Sequence, residues 1–334
     1  MHTGENGAAT LKQGLIMPHP LMVRPELLTL DLGSRLYLVT GANSGIGLVT
    51  TEQLVRQGAT VVMACRRQEA GESAACEIRG KIPAAKIEVM TLNLGSISSI
   101  HTFATAFRAR HAQLHGLINN AGIMNTPLGR TADGFETQFG TNHLGHFLLT
   151  ALLLDTLKAS APSRIVNVAS LYHVHARGRV GAIHFEDPNY EERRYDGWEA
   201  YAQSKLANVL HARELARRLA GTGVTAVSLN PGWVRTNLIR NTAPVWLQNL
   251  LQPFLRYAGG MIEPWEGAQT TLHCLLAPEV AKHSGEYYSQ IGLYHDRSAR
   301  SGGWPLVSPN PLAHDDKVAQ RLWDVSEKLV GLAD

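Results

Sequence analysis

The feature that most constrains this chain is an alternation of two patterns. Short apolar runs recur at 35–40, 60–65, 86–92, 116–120, 164–169 and 224–229. Longer helix-forming stretches separate them at 48–57, 69–79, 98–111, 135–159 and 200–219, and a further helix (267–276) precedes a last strand at 286–288. The runs are almost continuously apolar, as strands must be when helices cover both faces of a sheet. Strands that alternate with helices in this way wind into a parallel α/β sheet. The expected fold is one doubly wound α/β domain over 31–300, with about seven parallel strands and helices on both faces. Two irregular insertions, 172–199 and 236–265, interrupt it. Residues 1–30 read as an N-terminal extension and 301–334 as a C-terminal segment.

Composition narrows the partners. Of 334 residues, 44% are hydrophobic, which excludes a chain too polar to bury a core. Lys and Arg number 31 against 28 Asp and Glu, and no basic run exceeds a pair, so nucleic acid is not an expected partner while an anionic small ligand is. Cys65, Cys76 and Cys274 are scattered, without disulfide or metal spacing, which favours a reducing, cytoplasmic compartment. Residues 15–23 are apolar but broken by Pro18 and Pro20, and no stretch reaches the roughly 20 apolar residues of a membrane span. Docking of that prolyl stretch on the domain or on a membrane surface is left open.

Thr40 is followed by Gly41, Ala42, Asn43, Ser44, Gly45, Ile46 and Gly47, between a predicted strand and a predicted helix. A dinucleotide pyrophosphate needs a tight turn, close backbone approach and free N–H groups at a helix start, and glycines allow the first two. The alternative is an ordinary strand-to-helix turn. The next strand ends in Ala64-Cys65-Arg66-Arg67, where an acid would bind the ribose 2′-hydroxyl of NAD. A guanidinium instead suits a 2′-phosphate, so NADP(H) is expected, with Arg66 as main contact and Arg67 as helper. Otherwise both arginines are solvated surface charges.

Further motifs follow in order. They are Asn119-Asn120-Ala121-Gly122, Asn142-His143-Leu144-Gly145, Ser170, Tyr201-Ala202-Gln203-Ser204-Lys205, and Asn230-Pro231-Gly232-Trp233-Val234-Arg235-Thr236. With the GxxxGxG turn they resemble the short-chain dehydrogenase/reductase family over about residues 34 to 290. The phrases His146-Phe147, Leu206-Ala207-Asn208 and Gly267-Ala268-Gln269-Thr270 narrow the likeness to its retinol dehydrogenase-like branch. The resemblance implies a Rossmann-type fold and a cofactor site at Gly41, Asn43, Ser44, Gly45, Ile46, Gly47, Arg66, Arg67, Asn93, Leu94, Asn120, Ala121, Gly122, Pro231, Gly232, Val234 and Thr236, besides Tyr201 and Lys205. Asn93 departs from the family's usual Asp. The separation of Ser170 from Tyr201 exceeds the family's usual spacing, and the branch tolerates that insertion.

Carbonyl reduction needs a proton donor beside the developing alkoxide. Tyr201 is expected as acid/base, with Lys205 one helical turn away lowering its pKa. Ser170 is expected to hydrogen-bond the substrate oxygen, and Asn142, by resemblance, to hold a water that links Lys205 to solvent. Taken singly, each of these residues has an ordinary structural reading, and Thr236 serves equally as a helix N-cap. The pairs His143/His146 and His111/His115 have metal-ligand spacing, but nothing completes either set, so packing roles and no metal are expected.

Trp246, Leu250, Phe254 and Trp265 lie in an apolar stretch that reads either as a packed amphipathic helix or as a substrate lid. A lid this apolar points to a lipophilic alcohol, aldehyde or ketone. Other readings are a reductase of a biosynthetic ketone or conjugated double bond, and a non-catalytic dinucleotide-binding sensor or scaffold. The resemblance also implies a homodimer through 135–159 and 200–219, with a monomer as the alternative.

Overall fold

The computed structural model describes residues 19–176, 178–235, 260–292 and 299–333. The strands, in chain order, are β1 (Leu36–Thr40), β2 (Thr60–Cys65), β3 (Lys86–Thr91), β4 (Gly116–Asn119), β5 (Ser163–Val168), a short antiparallel pair β6 (His175–Ala176) and β7 (Arg179–Val180), then β8 (Val224–Asn230) and β9 (Tyr287–Ser289). All but the short pair form one parallel sheet in the order β3-β2-β1-β4-β5-β8-β9. The chain turns outward in both directions from β1 and β4, which leaves a crevice at their C-terminal ends.

The pleat sends alternate residues to opposite faces. Leu38, Val62 and Ala64 enter one core with Phe103, Phe107, Phe147 and Leu206. Val39, Val61 and Met63 enter the other with Leu54, Ile78 and Leu272. The first face is covered by α3 (Ile97–Arg110), α5 (Gly145–Ala159) and α6 (Gly197–Arg218), and the second by α1 (Gly45–Arg56), α2 (Gln68–Lys81) and α7 (Pro264–Leu276).

The single helix expected over 135–159 is broken. Phe135 lies outside it, and the Glu136 carboxylate caps a short α4 (Thr137–Phe139) by accepting the N–H groups of Gln138 and Phe139 at 3.0 and 2.6 Å. A π-helical turn, Gly140–Leu144, then leads into α5. Such a turn inserts one extra residue and often marks a functional position; here it carries Asn142.

The described segments that flank the sheet, 21–32 and 316–329, join the domain. Val23, Leu27 and Leu32 are buried in the second core. The Gln290 side chain accepts the Leu21 N–H at 2.6 Å and donates to its carbonyl at 2.9 Å. The C-terminal helix α8 (Asp316–Leu329) buries Leu322 and Trp323 in the first core, with Trp323 edge-on to Phe147 at 4.8 Å. Arg213 pairs with Asp316 at 2.7 Å. Thus α8 lies over the face of α5 and α6 to which the homodimer expectation pointed.

Candidate active site

Every expected site residue that is described lies at the C-terminal edge of the sheet or on an element packed against it. Gly41 and Gly45 have φ of +64° and +55°. A Cβ on Gly47 would stand 2.6 Å from both Asn120 Nδ2 and the Gly41 carbonyl oxygen. Ser44 precedes α1 without a side-chain cap, so the first N–H groups of that helix face the turn uncapped. This cradle, with no Cβ at its closest approaches, fits a pyrophosphate. Ile46 packs against Val234, Ile262 and Ile291, joining the turn to the segment after β8.

Thr40 organises the centre. Its hydroxyl accepts the N–H groups of Asn120 and Ala121, each at 2.9 Å. It also lies 2.9 Å from His146 Nε2. His146 Nδ1 faces the Asn142 carbonyl at 2.9 Å, and a carbonyl can only accept, so Nδ1 carries the proton. Burial pushes the His146 pKa down to about 4, which keeps the ring neutral and Nε2 an acceptor; the Thr40 hydroxyl offers its proton to Nε2 at 2.9 Å, with the Ile118 carbonyl farther off at 3.3 Å. Asn119 bridges sheet and helix, its Nδ2 donating to Thr150 Oγ1 at 3.0 Å and Asn167 Oδ1 at 2.8 Å.

Arg66 and Arg67 project, exposed, from the end of β2, and neither forms an ion pair with a described residue. Gly41 N–H bonds the Ala64 carbonyl at 2.8 Å, which sets this strand end beside the turn. Asn93 is half-buried, and its Oδ1 accepts the Gly95 N–H at 3.1 Å. Leu94 is buried, with α5 pressed so close that a Cβ on Gly145 would meet the Leu94 carbonyl oxygen at 2.3 Å. Gly232 (φ +88°) follows Pro231, and Val234 bridges to Ile262.

Tyr201 and Lys205 lie on α6, each 3% exposed. The Ser170 side chain lies by the Tyr201 hydroxyl, where it favours the ionised phenol, and accepts the Tyr172 N–H at 3.4 Å. Lys205 Nζ donates to the Val168 carbonyl at 2.9 Å and stands 5.6 Å from the centre of the Tyr201 ring. Asn142, fully buried, donates from Nδ2 to the Ile123 carbonyl and Ser204 Oγ, both at 2.9 Å, while its Oδ1 accepts the Ile123 N–H. Its side chain is thus committed within the fold, and its main-chain carbonyl accepts His146 Nδ1–H. Tyr172 meets Tyr201 edge-on at 5.7 Å and stacks on Trp198 at 4.8 Å. Next to Trp198 a cleft of about 740 Å³ is lined by Asn125, Ala176, Arg179, Arg194 and Tyr195.

One expectation needs correction. Burial, its largest cause, raises the Tyr201 pKa although the Ser170 side chain pulls it the other way. Burial also pushes Lys205 down to about 7. In the ligand-free protein burial thus opposes charge on both groups, and among the described residues no carboxylate stands against Lys205 to offset it. Among the described residues the ammonium has one hydrogen-bond acceptor, Val168, and donors to spare. A Cβ on Gly122 would stand 3.4 Å from both Lys205 Nζ and Asn142 Oδ1. Space next to unspent donors fits ribose hydroxyls.

Thr236, Trp246, Leu250 and Phe254 lie outside the described residues. Trp265, 36% exposed, is on the first turn of α7. The paired histidines have partners within the fold: Ser326 for His143, Glu88 for His111 and the Leu36 N–H for His115. The reading of motifs missed Thr40, His146 and Ser204. The Asn142/His146 spacing on one helix face was the available signal for the second of these.

A Rossmann-type sheet with a glycine cradle and a half-buried Ser170 beside buried Tyr201 and Lys205 at its switch point defines a dinucleotide-dependent oxidoreductase. A family model described as short chain dehydrogenase matches residues 35–244, and the chain belongs to that family. It is 46% identical to retinol dehydrogenase 12 of Homo sapiens over 303 residues, covering 90% of this chain and 88% of the relative. It is 44% identical to human retinol dehydrogenase 13 over 298 residues, covering 88% and 84%. These matches set it in the retinol dehydrogenase-like branch. The crystal structure of an uncharacterised protein from Mycobacterium paratuberculosis superposes with a TM-score of 0.70 at 36% identity, covering 91% of this chain and 96% of that one.

Proposed function

We propose that this oxidoreductase uses NADP(H) to interconvert a lipophilic alcohol with its aldehyde or ketone, Tyr201 serving as acid/base. The observation that carries the reading is the buried Tyr201 beside the Ser170 side chain, one helical turn from a lysine with donors to spare. The dinucleotide, when bound, supplies or accepts the hydride. Ser170 and Tyr201 would hold a substrate oxygen between two hydroxyls, and Tyr201 would give its proton to that oxygen as charge develops there. Lys205 and the space over Gly122 would hold the nicotinamide ribose. A cation brought close to the phenol by that binding favours its ionised form, so the acidifying role of Lys205 belongs to the loaded enzyme.

Arg66 and Arg67, without carboxylate partners at the end of β2, support the choice of NADP(H). The aromatic wall of Tyr172 and Trp198 and the retinol dehydrogenases among the relatives support a retinoid-like or other long apolar substrate. The test is oxidation of NADPH and NADH with a panel of lipophilic aldehydes, retinaldehyde included. The expected result is turnover with NADPH preferred, and a fall in that preference of about tenfold or more in Arg66→Asp. An unchanged preference would remove Arg66 from the cofactor site.

A further inference from the structure

Ser170 is held from behind by a chain of buried hydrogen bonds. Its main-chain carbonyl accepts the His173 backbone N–H at 3.1 Å and faces His173 Nδ1 at 2.6 Å. The carbonyl can only accept, so Nδ1 is the protonated nitrogen. The ring is fully buried, and burial pushes its pKa down to about 4, so it is neutral and Nε2 is an acceptor. Ser308 Oγ lies 2.6 Å from Nε2 and already accepts the Asn310 N–H at 3.2 Å. The Ser308 proton therefore goes to His173. Asn310 Nδ2 fixes the backbone of the same loop, donating to the carbonyls of His173 at 2.6 Å and Gly181 at 2.9 Å. Tyr287 of β9 closes the other side of the ring, edge-on at 4.8 Å, and His314 Nε2 holds the Ser308 carbonyl at 2.8 Å.

Every proton in this chain has one place. Asn310 N–H points to Ser308, Ser308 O–H to His173, and His173 Nδ1–H to Ser170. None of these groups is bonded to the Ser170 hydroxyl. They fix the peptide plane that leaves Ser170, and with it the direction of the Cα–Cβ bond that carries the hydroxyl to Tyr201.

We propose that His173, locked by Ser308 and Asn310, is a positioning residue that aims the Ser170 hydroxyl at Tyr201, and that the C-terminal segment is thereby part of the active site. The proposal rests on the reading of Ser170 as a catalytic residue. Removing the Ser308 hydroxyl leaves a buried imidazole acceptor without a donor. The ring must then turn or change tautomer, and either releases the Ser170 carbonyl. Small displacements at a reacting group are costly, up to about a hundredfold for 1 Å.

The experiment compares wild type, Ser308→Ala, Ser308→Thr and Ser170→Ala, with rates expressed per NADPH-binding site. Ser308→Ala is expected to lower kcat by about tenfold while the Kd for NADPH stays within about twofold. Restoring the hydroxyl in Ser308→Thr is expected to recover most of the loss. Imidazole 15N spectra of wild-type enzyme are expected to show His173 as the neutral Nδ1–H tautomer. A wild-type kcat in Ser308→Ala, or an Nε2–H tautomer in the wild type, would overturn the proposal; the second needs no variant to fold. Full activity in Ser170→Ala would overturn instead the reading of Ser170 on which it rests, and the tautomer would still report the wiring.

Discussion

Burial, more than any neighbouring charge, sets the protonation of the two central residues in the free enzyme. Burial raises the Tyr201 pKa, which keeps the phenol protonated, and pushes the Lys205 pKa down to about 7. The lysine carries a stability signature with a definite sign. Between about 7 in the folded state and its ordinary 10.5 in the unfolded chain, the unfolded state binds more protons, so stability rises with pH across that window. Lys205→Met removes this contribution. The stability of wild type relative to Lys205→Met, from urea unfolding without dinucleotide, is expected to increase by up to roughly 2 kcal/mol between about pH 7.5 and about pH 9. A difference that stays flat with pH would show that the folded lysine keeps its charge.

Two glycines show what the loops between elements are built for. At Gly47 an added Cβ meets the Gly41 backbone at 2.6 Å, so alanine there must shift the start of α1 and disturb the fold. At Gly122 the same atom meets only Lys205 Nζ and the Asn142 side chain, at ordinary contact distances of 3.4 Å. Gly122→Ala is therefore expected to keep the melting temperature of the ligand-free protein and to weaken NADPH about tenfold by filling the ribose space; calorimetry and a binding titration read the two effects separately. The sheet strands themselves were legible because most are near-continuous apolar runs, several of them closed by Gly, Asn or Arg, and their ends fell within a residue or two of the observed bounds. The break in the helix expected over 135–159 was not legible. Gly140, Thr141, Asn142 and His143 are weak helix formers, but composition does not place a π-turn, which is held by partners at Ile123 and Thr40 that local pattern does not reveal.

Across the whole molecule, the parts hidden from sequence reading are those made by distant pairs. Ser308 reaches His173 across 135 residues, and Ser326 reaches His143 across 183. A segment read as lying beyond the domain thus holds the loop that follows Ser170 and covers α5 and α6. Trp323 is buried against Phe147 and lies under Arg218 at 4.2 Å, so a second copy could reach that helix face only by displacing α8. Sedimentation at micromolar concentration is expected to show no dimer built on this face, and Trp323→Ala, which uncovers it, to lose about 3–5 kcal/mol of stability. A wild-type dimer whose cross-links join α5 to α5 would contradict this arrangement. Among the described residues no helix is long and apolar enough to cross a membrane.

The central claim is that the Tyr201 hydroxyl delivers the proton. Its most direct measurement is the single-turnover rate of NADPH oxidation by Tyr201→Phe with a substrate that the wild-type enzyme reduces. The predicted result is NADPH bound with wild-type affinity and a rate lower by roughly 10²–10⁴-fold. A rate equal to wild type would show that the proton comes from another group.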